Sequence, residues 1–375
     1  MSQDTGKRSP IRVLRRDPRH RSAGFTLIEV MIAMALGLIV LAAAVTLFRQ
    51  GMDASYMVTQ RAEMQQNARG SVNLIAHDVS LAAQGGFATG GIALPSGAGS
   101  VQELYGCDPA GCHLANNGFP NNRLYALTPG PGVGPNILGV NSDVVVSAYI
   151  DGNFNTGLAC ATNVKANPGT DAVVTVNPAT MNPPLNSATS GLAVGDVLQM
   201  CNANGCAAGV VTDFNLAAGT ITFKDKDALF FNQSTAASGN LVAIGPFANP
   251  VPPAVCKLPQ TTVTRIILET YYIDNTNPAA PRLMRQDGAR PPNPVAENIE
   301  NLQMTYDVFD TNTGQATANL TDPIAAGFTP NQIRKANIWV SARSSRAGLL
   351  RPGFERIVLG TAVSPRNLSF VDRYQ

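Results

Sequence analysis

The chain has 375 residues, 45% of them apolar and 14% charged, which is enough to build one large or two ordinary cores without a metal or cofactor to hold them. Its formal charge is only +2, and residues 1 to 24 hold seven basic side chains (Lys7, Arg8, Arg12, Arg15, Arg16, Arg19 and Arg21) against Asp4 and Asp17, so the remainder stands at −3. That weakly acidic remainder argues against nucleic acid as a partner, because such binding needs basic clusters to displace phosphate counterions.

The basic head reads as a cytoplasmic flank, since positive charge gathers on that side of a membrane segment. It is followed by GFTLIEVMIAMALGLIVLAAAVTLF, residues 24 to 48, with Glu29 as the one charge. The run from Phe25 to Phe48 would be about 36 Å long as a helix, enough to cross a hydrocarbon core of about 30 Å. A cleaved secretory signal would have a shorter apolar run with small residues after it. Here the small pair Ala23-Gly24 comes first, so that order is inverted.

No proline occurs between Phe25 and Leu94, and residues 49 to 83 are rich in helix formers, so a single helix is expected over 25–83, stopped by Gly85-Gly86. Ala68, Val72, Ile75, Val79 and Ala82 form a stripe at steps of four and three, which predicts that residues 68 to 83 lie against a folded body. The more polar stretch from Arg49 to Asn67 reads as an exposed neck.

From residue 87 the composition shifts to Gly, Pro, Asn, Thr and Val. Strands are expected at 142–150, 171–176, 196–201, 209–214, 220–225, 264–274, 302–310, 336–345 and 355–363, where alternating or β-branched runs are bounded by turn residues. The Pro-rich segments 247–259 and 274–294 read as mobile loops. The fold class is therefore α+β: one long helix and a β-rich domain over 84–375.

Six cysteines, Cys107, Cys112, Cys160, Cys201, Cys206 and Cys256, all follow the apolar run, which puts them across the membrane from the basic head, where disulfides persist. Two local C-x4-C pairs plus Cys160 with Cys256 is the favoured pairing. No zinc-finger partner follows either short pair. His20, His77 and His113 are scattered among leader, helix and loop, without metal-ligand or catalytic spacing. DGNFNTG (151–157) has part of a calcium-loop rhythm, but its glycine is one place late and Thr162 stands where a glutamate is required, so a polar turn is expected. DTNTG (310–314) reads as a hairpin turn. Trp339 sits in a strand as core or interface, and Arg343, Arg346, Arg351 and Arg356 as a solvated face. Neither a nucleophile elbow nor a phosphate loop is present, so no enzyme and no cofactor is indicated.

An ionised carboxylate at membrane depth costs at least about 2.5 kcal/mol on insertion scales and calls for a partner. Cutting after Gly24 would create one: the new amine of Phe25, a single helical turn from Glu29 or, between neighbours, on the next subunit. A pair made only at the right axial offset would supply both affinity and register. The plainer alternative is an anchor whose Glu29 stays hydrated near one interface.

Gly24-Phe25-Thr26-Leu27-Ile28-Glu29, after a basic leader and before some twenty apolar residues, resembles the class III signal of type IV prepilins and type II secretion pseudopilins. The resemblance implies removal of the leader 1–24 by prepilin peptidase, N-methylation of Phe25, and Glu29 guiding assembly. MQQNARGSVNLIAHDVSLAAQGGF (64–87), GDVLQMCNANGC (195–206), ETYYIDN (269–275) with PRLMRQ (281–286), VAENIENLQMTYDV (295–308), ANIWVSARSS (336–345) and PRNL (365–368) are similar to the PilW family of minor pilins. His77-Asp78 departs from that pattern, where a basic residue precedes the acid, and the loops at 87–140 and 247–260 match none of it.

What the resemblance implies is a pilin-like α+β protein whose helix 25–83 is transmembrane over 25–48. It would be a single-pass inner-membrane subunit with a periplasmic domain that passes into the pilus. Its partners would be other minor pilins and pilus subunits, in a priming or tip complex serving twitching motility and adhesion. The rival from the same resemblance is a minor pseudopilin of type II secretion. A tethered enzyme and a tip adhesin complete the alternatives.

Overall fold

A computed structural model describes residues 24–88, 90–94, 107–108, 111–112, 123–155, 163–166, 171–175, 191–202, 205–215, 217–225, 227–229, 231–232, 241, 262–348 and 353–368. The chain divides into two compact units, Met1–Met57 and Val58–Gln375. One helix, α1 (Leu27–Leu81), contributes to both.

In the first unit every described residue from Gly24 to Tyr56 is exposed, including Phe25, Leu27, Leu36, Leu41 and Phe48. A helix apolar on all sides has no single face to bury against a protein core, and this one is long and apolar enough to cross a membrane.

The second unit is α+β. Its strands begin with β1 (Ile92–Ala93), β2 (Cys107–Asp108), β3 (Gly111–Cys112), β4 (Arg123–Leu124), β5 (Leu127–Gly130), β6 (Val144–Asn155), β7 (Asn163–Ala166), β8 (Asp171–Thr175), β9 (Val197–Asn202) and β10 (Gly205–Val210). They continue with β11 (Asp213–Asn215), β12 (Thr220–Lys224), β13 (Thr262–Asp274), β14 (Arg282–Asp287), β15 (Asn293–Glu297), β16 (Ile299–Asp310), β17 (Gln315–Leu320), β18 (Ile333–Ala347) and β19 (Phe354–Val363).

The long strand β13 organises the main sheet. Along one edge it pairs with β6, which pairs in turn with β5. On the other edge β9 takes its first half and β14 its second, with β10 and β15 outside them. A second sheet runs β17-β16-β18-β19, and a small one runs β11-β12-β8-β7, all antiparallel.

The second half of α1 joins the two larger sheets in one core. Met64, Ala68, Val72, Ile75, Val79 and Ala82 share a buried cluster with Ile266, Leu268 and Tyr271 of the main sheet and with Leu302, Met304, Ile338 and Val340 of the second. The stripe expected over 68 to 83 is the buried face. Burial starts earlier than the polar composition suggested, however: Gln60 and Met64 are already covered, Gln60 donates to Ser345 Oγ (3.2 Å) and Asn67 Nδ2 to the Glu297 carbonyl (3.2 Å). The reading of 49–67 as a wholly exposed neck is corrected, because hydrogen-bonding side chains can be buried where a sheet offers them partners.

The helix ends at Leu81, before the glycines. Ala83 takes φ 67° and Gly85 φ 80°, and the chain then runs beside β6, with Ala83 N donating to Ala148 O (3.0 Å) and Ile150 N to Gln84 O (2.9 Å). A Cβ on Gly85 would come within 2.8 Å of Ile150 Cβ, so the close approach itself calls for glycine.

All nine expected strands have counterparts, although 209–214 is broken between β10 and β11. Segment 274–294 is not a bare loop: it carries β14 and the start of β15. Its prolines hide this. Pro281 and the pair Pro291-Pro292 fall just before the two strands, and Pro294 sits on the outermost one, where an absent N–H costs nothing. DGNFNTG contributes Asp151 to Asn155 to β6 in place of a turn. DTNTG does turn, with Asp310 Oδ1 accepting from Asn312 N at 3.0 Å. Segment 247–259 lies outside the described residues.

Candidate functional site

Two carboxylates on α1 concentrate the chemistry. Glu29 stands in its first turn. Thr26 N and Thr26 Oγ1 each donate to Glu29 Oε2 at 2.9 Å, and Glu29 N donates to Thr26 Oγ1 at 3.3 Å. This reciprocal arrangement is a capping box, in which N-cap Thr26 and the glutamate three residues on satisfy each other's backbone donors. The Thr-x-x-Glu spacing is legible in the sequence, and it answers locally a need that charge alone would assign to a cation. Gly24 and Phe25 precede the helix and are exposed, with Phe25 at 86%.

Asp78 is the opposite case: 1% exposed and surrounded. Tyr271 donates to its Oδ2 at 2.5 Å, Arg285 Nε and Nη2 lie 3.3 and 3.2 Å from the same oxygen, and Tyr149 reaches Oδ1 at 3.5 Å. Ser147 Oγ donates to the Asp78 carbonyl at 2.7 Å, and His77 Nδ1 is 3.1 Å from Oδ1 with its ring largely in solvent. Strand pairing explains how four residues converge there. Ser147 lies opposite Glu269 on β6 and β13, and Tyr271 opposite Arg285 on β13 and β14, and alternation puts them on one face.

Burial raises the Tyr271 and Tyr149 hydroxyls above the phenol range, and the Asp78 charge adds to it, so both stay protonated donors. Burial works against the Arg285 charge, yet Glu269, Tyr271 and Asp78 together raise its pKa. Arg285 Nη2 also reaches Glu269 Oε1 at 2.6 Å. Glu269 is 2% exposed, and burial pushes its carboxyl up to about 8, with Arg285 pulling down and Asp287 and Asp78 pushing up.

The other sequence candidates are dispersed. Cys201 and Cys206 form a disulfide across the β9-β10 hairpin. Cys107 and Cys112 are opposed in the β2-β3 ladder, and Cys160 and Cys256 lie outside the described residues. Arg343 and Arg356 are not a solvated face. Both hold buried Glu300, Arg343 Nη1 at 3.2 Å and Arg356 Nε at 2.7 Å, and Arg343 also donates to the Pro278 and Ala279 carbonyls. Arg351 lies outside the described residues, as do His20 and His113. Trp339 is 37% exposed and lies over Gly360, where a Cβ would come within 2.6 Å of the indole. Among the described residues no group of three or more His, Cys, Asp or Glu could hold a metal ion.

Residues 19–45 match the family described as the prokaryotic N-terminal methylation motif. The match supports a type IV pilin-like or pseudopilin-like structural subunit, processed by a prepilin peptidase, anchored in a membrane and assembled with other pilins. No curated protein and no solved structure matches the chain.

Proposed function

We propose that the protein is a minor pilin that enters a priming or tip complex of the type IV pilus through the first half of α1, and so serves twitching motility and adhesion. The observation that carries the reading is the methylation motif at 19–45 lying across the join between leader and an exposed apolar helix. Prepilin peptidase cuts after Gly24, and the amine of Phe25 becomes methylated. The helix from Phe25 to Phe48 packs against its neighbours by van der Waals contact in lipid and in the filament. Similarity of separate segments between 64 and 368 to the PilW family favours the pilus over type II secretion.

Glu29 has two successive roles in this reading. In the free chain it caps its own helix through Thr26, and in the assembly it meets the Phe25 amine of the next subunit. An acid already held by hydrogen bonds tolerates membrane depth better than a bare one, and the cap preserves it until a cation arrives.

N-terminal analysis of the protein from cell membranes tests the proposal. A methylated Phe25 is the expected result, and an intact Met1 would overturn it. Deletion then separates the pilus from its rival, because loss of twitching with protein secretion intact is expected and the reverse outcome assigns the chain to secretion.

A further inference from the structure

Beside the Asp78 cluster, on the same face of the main sheet, lies a cleft of about 300 Å³ whose lining includes Arg265, Glu269, Arg285, Asp287, Arg290 and Asp196. That volume is at the low end for small-ligand pockets, about 300–1,000 Å³.

Each guanidinium in the cleft is already engaged. Arg265 holds Asp151 at 2.5 Å and Asp196 at 3.4 Å, Arg290 holds Asp196 and Asp287, and Arg285 holds Glu269 and Asp78. Among the described residues five carboxyl groups face three guanidiniums, which leaves one negative charge over while Glu269 is protonated and two once it is ionised. Among the described residues, Glu269 Oε2 is buried and has no hydrogen-bond partner.

Its neighbours cannot supply one. From β6 and β13, Tyr149 and Tyr271 direct their hydroxyls at Asp78, and Ser147 donates to the Asp78 carbonyl. From α1, His77 faces Asp78, and from β14, Asp287 adds a like charge. The missing element is a cation with N–H donors. A divalent metal needs several ligating oxygens together, and no such set is assembled among the described residues. A single ammonium on a flexible alkyl stem fits both the charge and the narrow volume.

We propose that the cleft receives a lysine side chain from a neighbouring subunit, whose ammonium donates to Glu269 and Asp287. The neighbour rests on the assembly reading above; the chemistry of the site does not. Arg285 partly covers the Glu269 carboxyl but also holds Asp78, so the incoming ammonium takes over Glu269 and leaves Arg285 to Asp78. At neutral pH the Glu269 carboxyl carries a proton, which passes to the buffer as the ammonium binds, so that the neutral acid becomes a carboxylate paired with the ligand.

The test uses the full chain in nonionic detergent micelles and titrates in Nα-acetyl-lysine N-methylamide, with the arginine and norleucine analogues as controls. Binding in the millimolar range is expected, at least tenfold tighter at about pH 8.5 than at about pH 6.5, with close to one proton released per ligand at the lower pH. The norleucine analogue should not bind, and Glu269→Gln and Asp287→Asn should each weaken the lysine analogue at least tenfold with the circular dichroism unchanged. Absence of lysine binding at both pH values, equal binding of the norleucine analogue, tighter binding of the arginine analogue, or an unaffected Glu269→Gln variant would each overturn the proposal. If Glu269 merely titrates near pH 8 and binds no ligand, the cleft is a proton site and the proposal fails. A methylated Phe25 in the same preparation would leave the assembly reading standing.

Discussion

Glu29 and Asp78 are acids on one helix, and the chain treats them in opposite ways. Around Glu29 the described helix is exposed on every side, and among the described residues the carboxylate is held by Thr26, three residues away. Around Asp78 the sheet supplies Tyr271, Tyr149 and Arg285, from as far as 207 residues along the chain. Burying a charge costs several kcal/mol unless its partners are complete, so Asp78 holds its position only because a finished tertiary structure surrounds it. Glu29 needs no such structure. Local capping satisfies an acid without the fold, and tertiary pairing commits one to it.

Breaking the buried side of the comparison should have the larger effect. Asp78→Ala leaves two buried hydroxyls without their acceptor and Arg285 without one of its two carboxylates, and is expected to cost about 3–5 kcal/mol, read as a fall in the thermal midpoint of the full chain in micelles. A loss below about 1 kcal/mol would mean that Asp78 does not commit the helix to the sheet.

Glu269 sharpens the same side through pH. Its carboxyl is raised from 4.5 to about 8, so the stability it contributes is complete below pH 4.5 and is lost as pH rises through 8. Glu269→Gln removes that loss. Relative to the unaltered chain, the variant should gain at most about 1.4 kcal/mol per pH unit between pH 4.5 and 8, with no further change above. Parallel stability curves for the two proteins across that window would contradict the assignment.

Glu29 is the counterpart. Glu29→Ala is expected to leave the thermal midpoint unchanged and to lower incorporation into pili at least tenfold, measured by immunoblot of sheared filaments. Glu29→Gln separates cap from charge, because glutamine still accepts from Thr26 N. Incorporation lost in both variants points to the charge, and incorporation retained in the glutamine variant points to the cap.

The smallest effect belongs to a pair intermediate between the two. Arg61 Nε meets Glu355 Oε2 at 2.8 Å, yet Arg61 is 64% exposed. Solvent screens such pairs, so Arg61→Ala should not shift the midpoint measurably. A clear shift would show that this exposed pair contributes to the fold despite solvent screening.

How much of this the sequence disclosed follows the range of the forces. The apolar run, the long helix, its 68–82 stripe and most strands rest on periodicity and local propensity, and all were legible. The beginning of helix burial at Gln60 was not, since Ser345 is distant in sequence. Nor was β14, because PRLMRQ lacks alternation and its strand character comes from lying against β13. Arg343 and Arg356 looked like surface charge for want of any local hint that Glu300 lay beneath them. His77-Asp78 stood out only as a departure from a pattern, while Tyr271, Arg285 and Glu269 passed as ordinary strand residues.

By itself, then, the sequence determined the basic head, the apolar span, the position of Glu29 with its capping threonine, and the α+β division. Each of these depends on residues within one or two helical turns, or on composition. Only the tertiary structure decided which acids are buried, which arginines they share and that Glu269 is left with an unmatched oxygen. Those outcomes depend on contacts between different strands and the helix, as far as 207 residues apart, and local propensity carries no information about what a side chain will meet across a sheet.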